Sequence, residues 1–249
     1  MTSIPVARAV PYEELDRKYF KDGSVDVENQ LYLPKDVATS SDLMGKTYAL
    51  ISAQLFLTAC VSMYIFNNYR AASDYGYIST IGNVGMLAIF VLMFTLFCTR
   101  GITKLIVSLL FSIATGSLVG CVIIRYEVAI IMQAMIITIG ITTFCSLYVI
   151  LRKSALHCWK GMLSTSLWGL ILTGFVFRIF PPSDAADAAY TVFGIIVFTG
   201  FILVDTSQLI RPYRYDEDEY IDIAVNIYLD IINIFLKLLK LLGSKKNNR

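Results

Sequence analysis

Apolar residues run for about twenty positions at a time along this chain, separated by short polar connections. Six such runs lie near 47–66, 80–98, 105–124, 128–151, 162–180 and 188–210. Each is long enough to cross the roughly 30 Å of hydrocarbon in a bilayer as a helix. A seventh run, 222–242, has a different pattern. Asp222, Asn226, Asp230, Asn233, Lys237 and Lys240 recur at spacings of four, four, three, four and three. At about 100° per residue these six share a stripe roughly 80° wide, with Ile, Leu, Val and Phe filling the rest of the helix. The pattern predicts an all-α integral membrane protein: a seven-helix bundle with a polar-striped C-terminal helix at its centre.

Composition agrees with that reading. Of 249 residues, 56% are hydrophobic and 16% charged, whereas soluble domains run near about 25% charged. The net charge of +2 is too small for a nucleic-acid footprint, so the surrounding partner is the lipid bilayer. The organisation expected is a flexible cytosolic tail over 1–46, a membrane domain over 47–242 and a basic tail over 243–249. The N-terminal tail holds Pro5, Pro11 and Pro34, with a short ordered patch expected at Leu31, Tyr32 and Leu33. It lacks the basic, apolar and small-residue regions of a signal peptide, so the first membrane helix serves as an uncleaved anchor. The five cysteines, Cys60, Cys98, Cys121, Cys145 and Cys158, form no C-x-x-C pair, and no structural disulfide is expected. With His157 as the single histidine, a transition-metal site is not expected either.

Charge sets the orientation. Lys46, Arg100, Lys104, Arg152, Lys153, Lys160, Arg211 and Arg214 fall in alternate connections, and the opposite ones hold only Arg70, Arg125 and Arg178. The positive-inside rule therefore places the N-terminus in the cytosol. The seventh segment conflicts with that rule, because a full crossing exports Lys245, Lys246 and Arg249. Two arrangements stay open: a crossing helix packed among the other six, or a re-entrant segment.

The acids carry the chemistry. An Asp at the centre of a membrane helix costs about 2.5–3.5 kcal/mol on insertion scales, so Asp230 requires a partner or a wet cavity. Helix 6 supplies Asp205, with Gln208 three residues on and Gly194 and Thr191 upstream on the same face. Two carboxylates that meet in a poorly solvated site share a proton and form a proton-sensitive latch. The plainer reading of Asp205 is a helix-end residue facing headgroup water beside Arg211. That of Asp230 is an amphipathic helix lying in the membrane plane. Asp216 to Glu219 and Asp222 precede the striped helix. If the stripe lines a pore, Asp218, Glu219 and Asp222 concentrate cations at its mouth, while Asn226 and Asn233 line the path. Carboxylate and amide oxygens suit calcium, held transiently near Asp205 and Asp230 rather than in a fixed metal site.

The run N-I-Y-L-D-I-I-N-I-F-L-K-L-L, Asn226 to Leu239, resembles the last-helix signature of the transmembrane Bax inhibitor motif family. The likeness is to its Golgi anti-apoptotic and lifeguard branches. G-I-I-V-F-T-G-F-I-L-V-D-T-S-Q-L-I, Gly194 to Ile210, is similar to that family's sixth helix, and Y-E-V-A-I-I-M-Q-A, Tyr126 to Ala134, to the entrance of its fourth. The likeness covers roughly residues 40 to 242. It implies seven helices around a central helix 7 and a slow calcium leak from Golgi or endoplasmic reticulum stores. It also implies suppression of cell death, with cell-death regulators as partners, and no cofactor beyond calcium as the transported ion. A pH-sensing aspartate pair falls on Asp205 and Asp230, with Arg100 as the helix 2 arginine that contacts it. Gln133 stands where some bacterial members have Glu, which removes a carboxylate there.

Two rival readings differ in class. A membrane adaptor would use its charged tails to dock partners and would not need Asp205. An intramembrane aspartyl protease is suggested by V-D-T-S, which resembles the D-T-S/G of aspartic proteases. Those membrane enzymes use Y-D and G-x-G-D, whereas Tyr228 and Leu229 precede Asp230 and no G-x-G-D occurs. The chain is therefore not expected to be an enzyme.

Overall fold

The computed structural model describes residues 40–69, 75–152, 159–210 and 218–247. Among them are seven helices and no strand: α1 Ser40–Tyr69, α2 Tyr75–Cys98, α3 Ile102–Ile123, α4 Val128–Arg152, α5 Lys160–Ile179, α6 Asp184–Gln208 and α7 Glu219–Asn247. The first six are long and apolar enough to cross a membrane, and α7 carries the polar stripe. Residues 1–39 of the expected tail over 1–46, with its patch at Leu31 to Leu33, lie outside the described residues, as do Lys153, His157, Cys158, Arg211, Arg214, Asp216 and Glu217. Cys60, Cys98, Cys121 and Cys145 are free thiols.

Helix boundaries follow local chemistry. Pro181 and Pro182 precede α6, where Ser183 caps by accepting from the Ala186 N–H at 3.4 Å, and Asp184 and Asp187 sit in the positive first turn. Gly101, at φ 63°, makes the sharp corner between α2 and α3 that a side chain would strain. Two ends differ from the apolar runs. α1 begins at Ser40 rather than 47, because Leu43 is already buried in the core. α7 continues past 242 to Asn247, and Gly243 lies so close to the Tyr126 ring that an added Cβ would meet its Cδ1 at 2.8 Å.

In lipid, helices associate through close packing and polar contacts rather than hydrophobic burial. α1 and α3 show both. Gln54 donates to the Ser108 carbonyl (3.4 Å), Thr58 to that of Ser112 (3.1 Å) and Ser62 to that of Gly116 (2.9 Å). The constant offset of 54 residues means that the two helices run parallel and in register. Gly116 and Gly120, a small-xxx-small pair, let the backbones approach: a Cβ at Gly116 would meet the Thr58 carbonyl at 3.0 Å, and one at Gly120 the Ile65 Cβ at 2.9 Å. The Tyr228 hydroxyl of α7 joins this seam at Thr58 (2.7 Å), with Phe111 edge-on to its ring.

α7 packs against α1, α3, α4 and α6. Ile221, Ala224, Ile227, Tyr228, Ile234 and Leu239 are almost wholly buried. The alternative of an interfacial helix thus fails, because the aliphatic face is enclosed by protein. The re-entrant alternative fails too. The start of α7 meets the start of α3 through Asp222 and Lys104, and its later turns meet the start of α6 through Lys240 and Asp187. α7 is one continuous helix, about 43 Å long at 1.5 Å per residue, that traverses the whole bundle. Phe90, Phe94, Phe97, Phe144, Trp168 and Phe175 stand exposed around the outside, as expected of side chains that face acyl tails.

Candidate functional site

The α7 stripe is buried at its middle and open at its ends: Asp230 is buried, Asn233 and Lys237 are half-buried, and Asp222, Asn226 and Lys240 are exposed. α6 runs antiparallel beside it. Asp205, three residues before the end of α6, is 4% exposed, and Asp230 is 6% exposed. The fold brings together these two acids of consecutive helices, close enough for the charge of Asp205 to act on Asp230. Gln208, one turn on, donates from Nε2 to Asp205 Oδ1 at 2.6 Å. Asp230 Oδ2 is fully buried and has no hydrogen-bond partner among the described residues.

Lys160, the exposed first residue of α5, acts electrostatically on Asp205. Arg100 is exposed in the α2–α3 corner, beside Gly101, whose N–H meets Asp218 at the start of α7. Lys160 was legible only as a topogenic charge; helix order places the start of α5 and the end of α6 at one end of the bundle, which is the signal that links them.

The acids before the stripe act as braces. Asp218 Oδ2 accepts from the Gly101 N–H at 2.8 Å, and Asp222 pairs with Lys104 at 2.7 Å. Both fix the start of α7 to the corner that opens α3. Glu219 is half-buried in the first turn of α7. Asn233 donates to the Leu229 carbonyl of its own helix at 2.9 Å. Gln133 is exposed on α4. Among the described residues no group of three or more His, Cys, Asp or Glu gathers. The oxygen-rich place is thus the carboxylate pair with the Gln208 amide, two acids in a dry seam that suit a proton or a passing cation.

Comparison with known proteins follows the same outline. The family described as Inhibitor of apoptosis-promoting Bax1 matches residues 40–247, the span from the first residue of α1 to the last of α7. Bax inhibitor 1 of Schizosaccharomyces pombe is 29% identical over 99% of this chain and 94% of its own length. Protein lifeguard 4 of Mus musculus is 31% identical over 80% of this chain and 83% of its own. The Golgi anti-apoptotic protein of Vaccinia virus (strain Lister) is 34% identical over 53% and 54%. These relatives carry the names of anti-apoptotic or membrane proteins, not of enzymes. Seven packed helices, six of them able to span a bilayer, and a family match across all seven identify the chain as a multi-pass membrane protein of the Bax inhibitor family.

Proposed function

We propose that the chain is a pH-sensitive calcium leak channel of Golgi or endoplasmic reticulum membranes that lowers store calcium and so suppresses cell death. The observation that supports this reading is the burial of Asp205 and Asp230 on facing helices, the charge of one acting on the other, with Asp230 Oδ2 lacking a hydrogen-bond partner among the described residues. Two buried ionised carboxylates are costly side by side, so the pair holds a proton when shut and a cation when open. Calcium is the transported ion, held transiently by oxygens of Asp205, Asp230 and Gln208, with no resident cofactor. Asn226 and Asn233 line the path on the α7 stripe. Asp218, Glu219 and Asp222 brace its mouth and add negative charge there. The alternation of basic connections supports a cytosolic N-terminus, and the Golgi name of one relative supports an intracellular membrane.

The test is calcium influx into liposomes holding the purified chain. Asp230→Asn is expected to reduce the leak to a small fraction of the parent. An unchanged leak would sink the proposal and favour the adaptor reading, in which neutralising either acid has no effect.

A further inference from the structure

The other end of the α6–α7 seam carries the opposite charge. Lys237 stands on the same stripe as Asp230, two turns further on, about 10 Å along the axis. Its ammonium lies 4.3 Å from the centroid of the Tyr190 ring, within cation–π range. Tyr190 is fixed by its hydroxyl, which donates to the Leu170 carbonyl of α5 at 3.1 Å, and by Phe177 edge-on at 5.4 Å. The Lys237 stem fills the space that Gly194 leaves: a Cβ there would meet Lys237 Cδ and Nζ at 2.6 Å. Asp187 and Lys240 both act on Lys237 electrostatically, but Asp187 is occupied by Lys240 at 2.6 Å. Lys237 is thus held across the seam by an aromatic face rather than by a carboxylate, and its charge is not cancelled at contact.

We propose that Lys237 is the charge barrier of the α6–α7 path and sets its discrimination between divalent and monovalent cations. The proposal rests on the leak reading above. A cation that passes Asp205 and Asp230 meets this ammonium next, and the repulsion is twice as large for a divalent ion as for a monovalent one. Gly194 and Tyr190 are the positioning residues that keep the ammonium in the path.

Calcium and potassium fluxes through liposomes holding the full chain test this, with Lys237→Gln, Lys237→Arg and Gly194→Ala beside Asp230→Asn. Lys237→Gln is expected to raise calcium flux about fivefold or more and potassium flux less, so the calcium-to-potassium ratio rises. Lys237→Arg keeps the parental ratio, and Gly194→Ala, which evicts the lysine, shifts it as Lys237→Gln does. An Asp230-dependent leak whose ratio is unmoved by Lys237→Gln overturns the barrier and leaves the leak reading standing. Equal rises for both ions in the Gln and Arg variants assign Lys237 to packing and also overturn it. Absence of flux from every chain removes the leak reading, and the barrier with it.

Discussion

Asp230 Oδ2 is a buried oxygen without a hydrogen-bond partner among the described residues, and an unmet buried polar group costs about 1–3 kcal/mol. A group kept at that cost has a use outside stability, so neutralising it should not harm the fold. Asp230→Asn is expected to unfold in detergent no more easily than the parent, with a gain of up to about 1 kcal/mol. A loss of more than that would make the carboxylate a structural group. Tyr228 is the contrasting case. Its hydroxyl meets Thr58 at 2.7 Å, yet Thr58 has the Gln54 and Ser112 carbonyls as further acceptors. Because little is orphaned, Tyr228→Phe should cost only about 0.5–1.5 kcal/mol by the same unfolding measurement and leave flux intact.

Among the elements, the α1–α3 contact depends most on a missing side chain. A Cβ at Gly116 would meet Thr58 backbone atoms at 3.0 and 3.1 Å, and backbone cannot rotate away. Gly116→Ala is expected to destabilise by about 1–3 kcal/mol, read as a lower unfolding midpoint in detergent. Gly140→Ala on α4, where nothing lies within 4 Å, should be neutral or stabilising. Equal effects would mean that helix propensity, not packing, governs. Element existence was legible in the sequence because twenty-residue apolar runs have one solution in lipid, and the α7 stripe was legible because its spacing is helical. That Asp205 and Asp230 could share a seam was suggested by two acids on consecutive helices, and both are buried. Partner identity was not legible where it depends on which helices touch. Lys160 looks like a topogenic charge, and only the packing of α5 on α6 links it electrostatically to Asp205. The braces that Asp218 and Asp222 make to Gly101 and Lys104 were hidden for the same reason. The hydroxyl seam of Gln54, Thr58 and Ser62 was hidden because isolated Ser, Thr and Gln leave no trace in hydropathy.

At the scale of the molecule, α7 changes charge along one stripe: Asp230 is buried at its middle, within reach of the Asp205 charge, and Lys237 and Lys240 follow toward Asp187. α7 runs from the start of α3 to the start of α6, and its packing against α1, α3, α4 and α6 surrounds the middle of its stripe with protein. The most direct measurement of the account is calcium influx into liposomes across a pH series, for the parent chain beside Asp205→Asn and Asp230→Asn. The aspartate pair predicts a parental leak that changes with pH, as a proton shared by the two carboxyls comes and goes, and a pH response lost in both variants. A leak equally pH-dependent in all three chains, or lost in one variant and intact in the other, would contradict a gate built from the two acids together.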